Sequence, residues 1–156
     1  MVGHLARLPF VALGGALALA SLVGCSGSPT DPLGLGGCLE GDRGTIAVGV
    51  SNTSGDPIVI EGVELTGAAG VEVIDRFLAL NDEARDTAVL FDDGGRAAFD
   101  GVDLDQQAID PDAAAYVGVE VQRTGSDPGR VGGLTITVDG SPQAVPVTLD
   151  LVDACG

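Results

Sequence analysis

Carboxylates dominate the groups in this 156-residue chain that could do chemistry: 17 aspartates and six glutamates stand against seven arginines, no lysine and one histidine. The densest acidic stretch, residues 92–112, holds Asp92, Asp93, Asp100, Asp103, Asp105, Asp110 and Asp112. Asp100, Asp103 and Asp105 are the nearest approach to a calcium loop, since hard cations take several carboxylate and carbonyl oxygens. They lack the central glycine and closing glutamate of an EF-hand, and a solvated acidic face is the favoured reading. Two carboxylates at a set separation could also hydrolyse a glycoside. With 23 acids to choose from, spacing along the chain selects no pair.

The groups that are missing narrow the chemistry further. His4 lies in the first 24 residues, which are set apart below, and no histidine or lysine follows. A Ser-His-Asp or Cys-His unit therefore cannot be built, nor a Schiff-base nucleophile, a Walker lysine or a histidine-containing zinc site. No Gly-x-Gly-x-x-Gly follows a strand pattern. The expectation is a protein that is not an enzyme, with no catalytic residue and no cofactor.

Residues 1–24 have the three parts of an export signal: a short basic start at Arg7, an apolar middle, and small residues before a cut. The apolar run is slightly short for a membrane-spanning helix. It ends in Leu22-Val23-Gly24-Cys25, which resembles the lipobox of bacterial lipoproteins, and the chain as a whole resembles the small lipoproteins of actinobacteria. That resemblance implies cleavage before Cys25, acylation of the Cys25 sulfur and a place on the outer face of the cell membrane. Two acyl chains suffice for stable anchoring, at about 0.8 kcal/mol per buried methylene. Residues 25–37, rich in Ser, Gly and Pro, read as a flexible tether, and residues 38–156 as one domain.

Removing residues 1–24 takes away Arg7 and leaves six arginines against 23 acids, a formal charge of −17. Such a surface repels nucleic acid and an anionic leaflet alike. The chain is nevertheless 45% hydrophobic, which argues for a folded core.

From Thr45 onward short alternating runs are separated by turn residues. Ile46, Val48 and Val50 form one run, closed by a turn over residues 52–57; Asn52-Thr53-Ser54 there matches a glycosylation sequon and reads as part of that turn. Ile58 and Ile60 lie out of phase with Val63 and Leu65, so Gly62 marks a β-bulge. Residues 71–80 read as a strand, with a short helical turn as the alternative for 74–80. Residues 87–91 and 96–99 flank an Asp-Asp-Gly-Gly turn. Ala115, Val117, Val119 and Val121 share one face, opposite Tyr116, Gly118, Glu120 and Gln122. Leu134, Ile136 and Val138 precede a turn into Val145, Val147, Leu149 and Leu151, where Pro146 demotes the last strand to an edge or an edge segment. Seven or eight strands with one apolar face predict an all-β antiparallel sandwich.

Ile109-Asp110-Pro111 followed by Tyr116 and the Val117–Val121 alternation resembles the E-to-F corner of immunoglobulin-like and fibronectin-III-like domains, with the tyrosine one place late. An immunoglobulin-like sandwich is the implied fold. With Cys25 assigned to lipid, Cys38 before the first strand and Cys155 after the last remain, and in an exported protein they pair as a disulfide. Closing that loop stabilises by about 4–5 kcal/mol on the chain-entropy argument. The expected function is a non-catalytic lipoprotein, held to the membrane through Cys25, that docks to another envelope protein. The alternative is a calcium- or small-ligand-binding lipoprotein, an adhesin or a transport accessory.

Overall fold

The computed structural model describes residues 35–85, 87–92 and 94–156. Residues 1–34, and with them the signal, Cys25 and most of the tether, lie outside the described residues. The rest is all-β: ten strands, β1 (Gly36–Glu40), β2 (Arg43–Ser51), β3 (Ile60–Thr66), β4 (Val71–Leu80), β5 (Ala88–Phe91), β6 (Ala114–Arg123), β7 (Gly129–Val131), β8 (Gly133–Val138), β9 (Ser141–Val145) and β10 (Thr148–Val152), with a 3-10 turn at Asp82–Ala84 and a single helical turn, α1 (Gly95–Ala98).

One sheet has the order β4-β6-β2-β5. Facing it are β3-β8-β9 and β1-β10-β7, which are two halves of one layer. Only Gly132 separates β7 from β8, and only Pro146-Val147 separates β9 from β10. The Leu134↔Val145 and Val131↔Leu149 pairs show one long hairpin carrying one extra residue on its second arm. This interruption takes the count to ten strands where seven or eight were expected. Pro146 has no N–H to offer a ladder, so the arm breaks there. The edge expectation holds for β9 but not for β10, which β1 flanks in parallel.

The pairing is immunoglobulin-like. β10, β7/β8 and β3 follow the G-F-C order, and β2, β6 and β4 the B-E-D order. β6 therefore holds the E position, between β2 and β4, and the E-to-F resemblance at Tyr116 is misplaced. The one-residue offset has a physical consequence: Tyr116 points away from the sandwich interior, and its hydroxyl meets Thr87 Oγ1 at 3.1 Å instead of a backbone group upstream. Two further corrections concern local structure. Cys38 lies inside β1 and not before the first strand, and residues 96–99 form α1 and its C-cap, not a strand.

Other sequence expectations hold. The β3–β8 register slips between Ile60 and Gly62, the bulge read from the phase change. Residues 71–80 are strand throughout, with a second slip between Val73 and Asp75. A two-residue turn at Asp139-Gly140, both at positive φ (45° and 74°), joins β8 to β9. This is the hairpin chemistry that Asp-Gly supplies.

Two cores result. The one between the sheets is entirely aliphatic: Ile46, Val48, Leu78, Val117, Val119 and Val121 meet Val63, Val131, Leu134, Ile136, Val138, Leu149 and Leu151. The second lies on the outer face of β4-β6-β2-β5, where Phe77, Ala47, Ala79, Ala84, Ala114 and Tyr116 are buried. β6 is thus buried on both faces, not one. The 3-10 turn at Asp82–Ala84 and the segment from Gly95 to Phe99 cover that outer face, and small side chains let them come close. A Cβ on Gly49 would collide with the Ala84 carbonyl, and one on Gly95 with the Thr45 side chain.

Candidate functional site

The outer core gathers every aromatic residue past position 24. Phe99 stacks obliquely on Phe77 at 6.3 Å, meets Phe91 edge-on at 5.0 Å and Tyr116 at 4.8 Å. Phe77 lies over Gly118, its partner in the β4–β6 register. The rings fill space between the sheet and its cover, so they offer no open platform for a sugar.

Arg96, on α1, holds this cover to the sheet. Its Nε and Nη2 make a two-pronged contact with Asp75 on β4, at 2.6 and 2.7 Å. The same Nη2 donates to the Arg76 carbonyl at 2.6 Å, and Nη1 reaches Asp103 at 2.9 Å. The guanidinium carbon also sits 6.0 Å from the centre of the Phe77 ring. The Arg96 hydrogen bonds, opposed by burial, hold the Asp75 carboxyl below its usual range. The Arg96 pKa is raised by the same pairing.

The candidate calcium residues are divided by this arrangement. Asp103 pairs with Arg96 and accepts a 2.8 Å bond from Gln106, while Asp100 sits in a left-handed turn at φ 53°. Asp105 is exposed. Among the described residues no three His, Cys, Asp or Glu side chains are grouped to hold a metal ion.

A second staple sits at the C-terminal end of β6. Arg123, only 8% exposed, bonds Asp42 at 3.0 and 2.6 Å and Asp153 at 2.6 Å. It ties the β1–β2 turn to the segment after β10, and these two carboxylates, Asp42 foremost, raise its pKa. Beside it the Cys38–Cys155 disulfide joins β1 to the segment after β10, with the Cα atoms 6.0 Å apart. The expected bridge is present, because β1 and β10 run side by side in parallel.

The remaining arginines are occupied as well. Arg76 donates to the Val63 carbonyl at 2.9 Å across the open side of the sandwich, Arg85 donates to the Asp112 carbonyl, and Arg130 lies 3.6 Å from Asp150. Arg43 lines a shallow depression of about 340 Å³ with Glu40, Gly41, Asp42 and Asp92. Five of six arginine side chains thus bind oxygens of the chain itself, and the outward charge is overwhelmingly acidic.

Asn52 shows why the sequon is a turn. Its side chain is 1% exposed; the amide nitrogen donates to Asp56 and Ile109 carbonyls at 2.8 Å each, and Oδ1 accepts from Ser54 N and Oγ. A glycan there would break the loop. Sequence reading missed the two arginine staples, since Asp75 lies 21 residues from Arg96, and Asp153 and Asp42 lie 30 and 81 residues from Arg123, too far to leave a local signal. No protein-family model matches the chain, and no curated protein matches it.

Proposed function

We propose that this protein is a non-catalytic lipoprotein tethered through Cys25 to the outer face of the cell membrane, where its sandwich docks to a basic surface of another envelope protein. The tether rests on the lipobox and its position after an apolar run. The docking rests on one structural observation: five of the six arginines past position 24 are turned to oxygens of the chain itself, leaving loops and edges that present carboxylates. Charge of one sign steers association and selects partners of the other sign more than it adds affinity. The exposed edge of β9, Ser141–Val145, is the kind of backbone template that strand addition uses.

The test has two arms. Palmitate labelling of cells expressing the chain should mark it, and Cys25→Ser should abolish the label; an unlabelled parent chain refutes the anchor. A photo-crosslinker placed at Glu83 or Gln143 on intact cells should then trap one discrete partner, less efficiently at raised salt. Crosslinks spread over many proteins and indifferent to salt would refute acidic docking.

A further inference from the structure

β1 is a weakly embedded edge of the layer it completes. It pairs with β10 alone, and no residue in it is fully buried: Gly36, Cys38 and Glu40 are exposed, Gly37 and Leu39 half-buried. Leu39, half-buried, is its one large apolar side chain packed against the main core. At the C-terminal end of β1, Gly41 adopts φ 126°, a left-handed backbone open to glycine; no atom lies where a Cβ would make contact, and its one tie to β10 is the 2.9 Å bond from its N–H to the Val152 carbonyl. The next residue, Asp42, is fixed by Arg123. The segment after β10 has its own anchor on Arg123 through Asp153, independent of the disulfide.

These facts describe a flap with a hinge and a catch. Residues 36–40 are the flap, Gly41 the hinge, and Asp42 the fixed point behind it. The catch is Cys38–Cys155, whose two residues are both exposed, supported by the 3.0 Å bond from Cys155 N to Glu40 Oε1. We infer that this disulfide is a redox latch: reduced, it lets β1 lift from β10 while the two-sheet core stays folded. A dithiol reductant opens it by thiol–disulfide exchange. Its thiolate attacks one sulfur, its second thiol resolves the mixed disulfide, and two electrons and two protons pass to Cys38 and Cys155, leaving the reductant as a cyclic disulfide. If the lipoprotein reading holds, lifting β1 adds five residues to the tether, roughly 16 Å of reach at ~3.3 Å per residue.

Hydrogen exchange on the full chain, purified in detergent micelles, tests the latch with dithiothreitol as reductant and no denaturant. In one-minute labelling, peptides covering residues 36–42 should exchange about tenfold faster after reduction, while β2, β6 and β8 peptides keep their protection. The Cys38→Ser/Cys155→Ser chain should match the reduced protein. Unchanged protection in β1 overturns the proposal, because pairing alone then holds the strand. Loss of protection in all strands together also overturns it, because the bond is then a brace of the whole sandwich. Running the same labelling on Cys25→Ser separates the latch from the anchor: β1 release that persists there stands even if Cys25 carries no lipid.

Discussion

The outer core can be tested by the sign of one substitution, Gly118→Ala. Glycine inside a strand normally weakens it, and alanine on an open strand face would stabilise by about 0.5–1 kcal/mol. Here the face is not open. A Cβ at position 118 would lie 2.5 Å from Phe77 Cε2 and closer still to Cζ and Cε1. The ring has little room to retreat, because it also packs so closely on Gly101 that a Cβ there would collide with it. Overpacking of this kind costs about 1–3 kcal/mol. Gly118→Ala should therefore destabilise by about 2 kcal/mol net, read from urea unfolding followed by far-UV circular dichroism. Phe77→Leu makes room, so the double variant should be more stable than the sum of the two single effects by about 1 kcal/mol or more. If Gly118→Ala is neutral or stabilising, or the cycle is additive, the ring does not lie over Gly118 and the cover over the sheet is wrong.

Three other outcomes are expected. Thr45 Oγ1 is fully buried without a hydrogen-bond partner among the described residues, so the isosteric Thr45→Val should raise stability by about 1 kcal/mol in the same urea assay; a loss would mean the hydroxyl is bonded. Asp75 has a lowered pKa in the fold against 3.8 unfolded, so its contribution is complete above pH 3.8 and is lost as pH falls through the depressed value. Asp75→Asn should accordingly flatten the acid limb of a stability–pH curve below about pH 4 and leave the slope above pH 5 unchanged, as urea midpoints at each pH will show. Calcium should give the same melting temperature as magnesium at equal ionic strength, because Arg96 already occupies Asp103; a site filled to a hundred times its dissociation constant would instead add about 2.7 kcal/mol.

How much of this was legible depended on range. Strands such as β6 and β8 declare themselves by period-two alternation, and Gly62 by the change of phase around it, because those signals are local. The Cys38–Cys155 pairing was legible because the chemistry of two cysteines in an exported chain admits one partner each. The outer core was not: Ala47, Ala79, Ala114, Gly49 and Gly118 read as an indifferent face, and only a crossing segment makes small size a requirement. Nor was β1, where two glycines and a cysteine carry little strand preference and the strand forms because β10 offers it an edge. The Arg96 and Arg123 staples are invisible for the same reason: apart from Asp103, their acids lie 21 to 81 residues away in the chain.

The separation of aromatic from aliphatic packing also decides what light can see. Phe77, Phe91, Phe99 and Tyr116 all sit where the cover meets the sheet, and the main core contains no ring at all. Tyrosine emission therefore watches only the cover, while far-ultraviolet dichroism watches the strands. A cover that loosens before the sandwich melts will show as two curves that fail to superimpose, without any label having been added.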